Sequence, residues 1–318
     1  MRALITGGAG FVGQWLARAL LRRGDHVVSA SLQTEPDHSV LSAEERANVR
    51  WVSADIRDSA QVDRAIDISM PDTVFHLAGV SFPPDAERSP ELTYDVNVLG
   101  AVRLLSAVIE RRAAGILDPL LLFVGSGVQY GRHDNAEMPL PESAELRPLT
   151  VYAASKTAQE VAALQAFRRD GSRVVCARAF NHSGVGHSPQ YLLPSLVSRA
   201  RSIQRGDERT LRLGNDVVRD YLHVEDVVSA YLSLAERGRA GEVYNVASGV
   251  GISAVELGRD VLLRAGVAAE ISFEPALVRA SDIPTLIGSP AKLTRDTGWA
   301  PTKTHSDIID DLLNAETD

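Results

Sequence analysis

Short apolar runs alternate with helical patterns over the first half of the chain, the signature of a parallel sheet with crossover helices. Residues 2–6 (RALIT), 26–31 (HVVSAS), 50–54 (RWVSA), 73–78 (TVFHLA), 120–126 (LLLFVGS) and 173–180 (RVVCARAF) read as strands. Several are apolar at consecutive positions, which predicts strands covered on both faces. Residues 11–23, 58–67, 92–113 and 151–169 have helical spacing, the first closed by Gly24. After Phe180 the rhythm breaks at NHSGVGHSPQ, followed by a helix at about 191–205 and a short strand, TLRLG. A strand at 242–248 and helices near 223–237, 252–265 and 304–315 complete the chain. The pattern predicts an α/β fold in which a doubly wound parallel sheet of Rossmann type occupies residues 1–180. A smaller mixed α/β domain follows over 181–318, with elements of about 215–250 packing back on the first.

Composition narrows the function. Apolar residues are 45% and charged residues 23% of 318, a globular balance without low-complexity linkers. A net charge of −8 disfavours nucleic acid as a partner. The single cysteine, Cys176, cannot form an internal disulfide, and no Cys/His cluster has zinc spacing, so no metal is expected. Residues 1–8 run into structure without a charged leader, and no uninterrupted apolar run approaches the ~18 residues of a spanning helix. A cytoplasmic protein without a membrane partner is expected.

The segment ITGGAGFVG carries the first chemical signal. Gly8, Gly10 and Gly13 satisfy G-x-G-x-x-G directly after a strand, and Gly7, Gly10 and Gly13 satisfy G-x-x-G-x-x-G. Glycines there let backbone approach a pyrophosphate at a helix N-terminus, which makes Phe11 and Val12 part of the same candidate site. At the end of the second strand stands Ser31, where a carboxylate would accept both adenosine ribose hydroxyls and repel a 2′-phosphate. NADP(H) is therefore favoured, while Glu35 and Asp37, a few residues on, leave NAD(H) open. Asp55, followed by Ile56, stands where a carboxylate can accept from an adenine amino group; its alternative is to cap the next helix, a role Asp58 could also fill. Leu77, Ala78 and Gly79 supply small residues and close backbone at the end of the fourth strand. Asn97, inside an apolar helix, is a further cofactor candidate, although such asparagines are more often structural.

Tyr152 and Lys156, in VYAASK, are four apart at the start of a helix and share one face. A free phenol titrates near ~10 and needs a neighbouring cation to act near neutrality. Ser126 ends the fifth strand at the edge where ligands collect in open α/β folds, and its hydroxyl can hold the oxygen that Tyr152 protonates. Glycine loop, strand-end serine and Y-x-x-x-K, in this order, point to nicotinamide-dependent redox chemistry.

TGGAGFVG, FHLAG, NVLGAVRLL, VGSGVQYG, VYAASK and ARAFNHSGVGH together resemble the extended short-chain dehydrogenases/reductases that act on nucleotide sugars. LGNDVVRDYLHVEDVVSAY, GEVYNVASG and VRASDIPTLIGSPAKLTRDTGWAP are similar to the GDP-mannose 4,6-dehydratase-like branch, above all its 4-keto-6-deoxy-mannose reductases. The resemblance implies reduction of the 4-keto group of a nucleotide-linked 4-keto-6-deoxyhexose, GDP-4-dehydro-6-deoxy-D-mannose to GDP-D-rhamnose. It implies sugar-nucleotide contacts from Ser126, Gly127, Val128, Asn181, Arg219, Arg279 and Asp282, and a homodimer paired through the helices at 92–113 and 151–169. Two arginines can clamp a diphosphate, and a carboxylate such as Asp282 can take ribose hydroxyls. Related dehydratases place an extra acid just after the strand-end Ser/Thr, where this chain has Gly127, Val128 and Gln129. That disfavours dehydration and leaves a 4-ketoreductase or a 4-epimerase. Ala280 stands where the family usually has proline, so dTDP- and UDP-linked sugars stay open. A dinucleotide-binding regulatory protein is the non-enzymatic alternative, and the intact Ser, Tyr and Lys count against it.

Overall fold

A computed structural model describes residues 1–33, 35–36, 40–278 and 282–315. In chain order the first elements are β1 (Arg2–Thr6), α1 (Phe11–Arg22), β2 (His26–Ser31), α2 (Ala43–Ala47), β3 (Val49–Ser53), α3 (Ser59–Ser69) and β4 (Thr73–His76). Then come α4 (Pro83–Arg88), α5 (Pro90–Tyr94), α6 (Gly100–Ala113), β5 (Leu120–Ser126), α7 (Val151–Asp170) and β6 (Val174–Ala179). The chain continues through β7 (Asn181–Ser183), α8 (Leu192–Arg205), β8 (Thr210–Leu213), β9 (Val218–His223), α9 (Val224–Arg237) and β10 (Val243–Val246). It ends with β11 (Gly251–Ser253), α10 (Ala254–Arg264), β12 (Glu270–Phe273), β13 (Thr285–Leu286), α11 (Ala291–Thr297) and α12 (His305–Asn314).

Seven strands form one parallel sheet in the order β10-β6-β5-β4-β1-β2-β3. The consecutive apolar residues explain its two-sided burial. Ala3, Ile5, Phe75, Leu122 and Val175 pack on one face with Leu16 and Leu20 of α1 and Val227 and Tyr231 of α9. Their neighbours Leu4, Val74, Leu121, Phe123 and Val174 pack on the other with Ile66 of α3, Leu104 of α6 and Ala163 of α7. Each pair of adjacent residues thus feeds two cores, as alternation across a pleat requires. Helix α1 stops where Gly24 takes φ +79° and its N–H bonds the Leu21 carbonyl.

The smaller unit is built around β9, which pairs with β7 and β13 in parallel and with β11 antiparallel; β8 and β12 form a separate parallel pair. Its core joins Leu193, Leu196 and Val197 of α8 to Leu257 and Val261 of α10 and Ile308 and Ile309 of α12. The sequence pattern missed β9, and it ran the fourth strand two residues past its end at His76. The helix expected over 92–113 is α5 and α6 joined by a π-turn, Asp95–Leu99. By length and composition Pro90–Ala113 could cross a membrane; in this fold it packs against α3 and α7.

Candidate active site

The carboxyl ends of the sheet open on a cleft of about 1440 Å³ that continues into the smaller unit, the position where open α/β sheets bind ligands. Gly7, Gly10, Phe11, Val12 and Gly13 line its floor. Gly7 sits at φ +73°, and a Cβ on Gly13 would lie 2.6 Å from the Gly7 carbonyl oxygen. No side chain caps α1 and no acidic residue stands in its first turn, so its positive end is left for an anion. A pyrophosphate fits this cradle.

The Ser31 hydroxyl accepts the Ala9 N–H at 3.0 Å, which ties the glycine loop to β2 while the residue still lines the cleft. Glu35 does not line it, and Asp37 lies outside the described residues. Asp55 and Ile56 do. Asp58, not Asp55, caps α3 by accepting from Ala60 and Gln61. The Asp55 carboxylate is instead forked by Arg57, with the shortest contact at 2.6 Å, and those hydrogen bonds hold it below the usual carboxylate range. Leu77, Ala78 and Gly79 pass along the cleft wall.

Asn97 stands behind the cleft wall instead of on it. It is fully buried and does not line the cleft. Its carboxamide accepts the Val80 N–H at 2.8 Å and donates to the Val80 carbonyl at 3.1 Å and the Ser155 hydroxyl at 2.9 Å. These three hydrogen bonds fix the segment after β4 against α7.

Ser126 ends β5, and Thr150 caps α7 by accepting from the Ala153 N–H, which brings Tyr152 and Lys156 to the same part of the cleft. Tyr152 and Ser126 both line this part of the cleft, and the serine acts to lower the phenol's pKa. Burial pushes the phenol up to about 12, against the lowering effect of Ser126, and nearby Tyr191 raises it further. Lys156 is not among the groups that shift it. Its ammonium donates instead to the Val124 carbonyl and to Gln159 Oε1, both at 2.9 Å, and burial lowers it to about 8. Gly79 makes room for this arrangement: a Cβ there would lie 3.4 Å from Lys156 Nζ and 2.9 Å from Asn97 Oδ1.

Beyond the reaction centre the wall includes Val128, Asn181, Arg219 and Asp282. Burial lowers the Arg219 guanidinium, while Tyr221 and Asp282 oppose that shift. Asp282 Oδ2 accepts from Asn215 Nδ2 at 2.7 Å. Gly127 does not line the cleft; it packs on Phe180, whose ring would lie 2.9 Å from an added Cβ. Arg279 lies outside the described residues. Among the described lining residues, Asp55 and Asp282 are the only carboxylates, and no metal-ligating cluster occurs.

Sequence reasoning missed a run of rings across the cleft. Phe11 stacks on His187 at 4.5 Å, His187 on Tyr191 at 4.2 Å, and Phe82 meets Tyr191 edge-on at 5.4 Å. His182 and His187 are both lowered by burial, His187 to about 3, so both are neutral parts of the wall. Nothing in the spacing of Phe82 and Tyr191 signals this contact, because it joins loops from the two units.

Over residues 4–312 the chain matches the family model for GDP-mannose 4,6 dehydratase. It is 34% identical over 302 residues to the GDP-6-deoxy-D-mannose reductase of Pseudomonas aeruginosa, covering 94% of this chain and 92% of that one. The structure of RMD from Pseudomonas aeruginosa complexed with NADPH matches with a TM-score of 0.82 and 32% identity over 98% of both chains. The UDP-glucose 4-epimerase of Thermus thermophilus in complex with NAD gives 0.85 at 29% identity, over 99% of this chain and 100% of that one. With likeness running from β1 into α12, the chain belongs to the GDP-mannose 4,6 dehydratase family, a branch of the extended short-chain dehydrogenases/reductases.

Proposed function

We propose that this enzyme reduces the 4-keto group of a nucleotide-linked 4-keto-6-deoxyhexose, with GDP-4-dehydro-6-deoxy-D-mannose as substrate and GDP-D-rhamnose as product. One observation carries the reading: Ser126, Tyr152 and Lys156 line the same cleft, and its only carboxylates among the described lining residues, Asp55 and Asp282, belong to other segments. Elimination of a 6-hydroxyl needs an acid near the leaving group; here Val128 is apolar and Gln129 is buried away from the cleft. The likeness to GDP-6-deoxy-D-mannose reductase supports the same choice.

When bound, a reduced nicotinamide would supply the hydride for C4. Tyr152, still protonated at neutral pH, gives its proton to O4 and regains one from solvent. Ser126 orients O4 beside the phenol. Lys156, whose ammonium spends two of its three donors on the Val124 carbonyl and Gln159, would hold the nicotinamide ribose with the third. Arg219 and Asp282 seat the nucleotide, so that binding energy remote from C4 fixes the reacting geometry. NADPH is the favoured donor because Ser31 replaces the carboxylate that would repel a 2′-phosphate, and the likeness to a structure complexed with NADPH agrees. In this reading residues 1–180 bind the dinucleotide and 181–318 the sugar nucleotide, with α9 and β10 completing the first unit.

Adding the GDP-linked 4-keto sugar to enzyme and NADPH should bleach the reduced-nicotinamide absorbance, and dTDP- or UDP-linked analogues should react more slowly. No bleaching with any of the three would sink the reading. Tyr152→Phe should keep its affinity for NADPH and lose on the order of 10²–10⁴ in kcat.

A further inference from the structure

We propose that Gln129 is a positioning residue for the reaction: it holds Ser126 in place by anchoring it to the Glu160–Arg178 ion pair buried behind the cleft. The proposal rests on the reading above, in which Ser126 orients the substrate oxygen. Gln129 is fully buried, three residues after Ser126 in a 3₁₀ turn. Its Oε1 accepts the Ser126 N–H at 2.7 Å, and its Nε2 donates to Glu160 Oε2 at 3.2 Å. Arg178 holds that carboxylate from the other side, Nε at 2.9 Å and Nη2 at 2.7 Å. Arg178 Nη1 in turn donates to the Tyr130 hydroxyl at 2.8 Å and the Glu142 carbonyl at 3.1 Å. Tyr130 donates to Asn245 Oδ1 at 2.7 Å, and the Glu142 carboxylate accepts the Asn245 N–H at 2.9 Å.

Glu160 lies four residues after Lys156 and eight after Tyr152, so it belongs to the turns of α7 that carry them. Arg178 sits on β6 opposite Gly125 of β5, one residue before Ser126. The ion pair therefore joins α7, which carries Tyr152 and Lys156, to β6, the strand paired with β5, and Gln129 links it to the serine that ends β5. Stability alone gives little reason for such a pair, since well-packed apolar residues commonly serve as well. Geometry gives a better one. The Ser126 N–H needs an acceptor and Glu160 needs a donor; a carboxamide presents both at once, which a carboxylate does only while protonated.

That polarity supplies the test. The charged and titratable groups that bear on Gln129 or on the pair it joins are Glu160 of α7, Arg178 and Cys176 of β6, and Tyr130 and Glu142 of the segment after β5. In Gln129→Glu the new carboxyl faces Glu160; at low pH one shared proton keeps both hydrogen bonds, and its loss on raising the pH sets two like charges together. Full-length wild type, Gln129→Glu, Gln129→Leu and Ser126→Ala are compared from about pH 5.5 to 7.5 by kcat, KM for the sugar nucleotide, NADPH affinity from fluorescence and thermal midpoint. Gln129→Glu should approach wild-type kcat at the acid end and fall about tenfold as pH rises, with NADPH affinity within about twofold. Gln129→Leu should lose about tenfold in kcat at every pH if it folds; if it does not, the pH profile of Gln129→Glu decides alone. A Gln129→Glu profile parallel to wild type at every pH, while Ser126→Ala is crippled, overturns the positioning role and leaves the reductase reading intact. Full turnover in Ser126→Ala removes the serine's role itself, and the proposal with it.

Discussion

A tyrosine serves as an acid only while it holds its proton, and burial ensures that for Tyr152 by pushing its pKa up to about 12. The neighbouring lysine carries the pH dependence instead. Burial brings Lys156 down to about 8, so the ammonium present below that pH is lost as pH rises through it, well before an exposed lysine would discharge. The pH profile of kcat/KM for the dinucleotide reports the free enzyme and should decline above about pH 8. A profile flat to about pH 10 would show that the ammonium has no part in binding. The glycine loop makes a sharper steric prediction. In Gly13→Ala the new Cβ would lie 2.6 Å from both the Gly7 carbonyl oxygen and the Gly8 Cα, neither of which can rotate away. Dinucleotide affinity by fluorescence should fall more than about tenfold, because a displacement near 1 Å is enough to spoil a fixed site. Ser126, Tyr152 and Lys156 were legible in the sequence because their chemistry demands particular residue types at particular offsets. Gln129 and Tyr191 were not, since each matters through a partner distant in sequence.

Between α5 and α6 the backbone widens into the π-turn Asp95–Leu99, with Asn97 at its centre. Such single turns recur where a helix must aim one side chain, and here the carboxamide reaches both backbone groups of Val80. Asn97→Leu keeps the volume and removes every hydrogen bond. It should cost about 1–3 kcal/mol in thermal or urea unfolding, the usual penalty for stranding a buried polar partner. It should also weaken dinucleotide binding several-fold, because residues 79–82 line the cleft and lose their tie to α7; unchanged affinity would confine Asn97 to stability. Sequence pattern read 92–113 as one helix because a single wide turn barely disturbs an apolar rhythm. It read the parallel strands well because two-sided burial writes consecutive apolar residues, as in RALIT and LLLFVGS. Strand β9 escaped it. VRDYLH mixes charge with apolar residues, and its partners come from 181–183, 251–253 and 285–286, pairings that leave no local period.

At the scale of the whole molecule, the helix carrying Tyr152 lacks a single apolar stripe. Apolar and small residues lie all round α7 instead of along one stripe, a pattern that calls for packing on more than one side. One side is satisfied within the chain, where Ala163 and Ala166 are buried with residues of α6 and β6. On the other, Val161 is 59% exposed, and Leu99 and Leu92 on the neighbouring helical stretch are 49% and 43% exposed. We propose that a second copy of the chain covers this face, pairing α5, α6 and α7 with their counterparts about a two-fold axis. Sedimentation of the wild type should then give twice the chain mass of 34.2 kDa. The double variant Leu99→Glu, Val161→Glu should sediment at the chain mass with its far-ultraviolet dichroism unchanged, since neither side chain belongs to a core of the single chain. A wild type that stays at the single-chain mass at micromolar concentration would refute the dimer. Loss of turnover in that monomeric variant, with dinucleotide affinity retained, would show that pairing steadies the helix from which the phenol and the ammonium project.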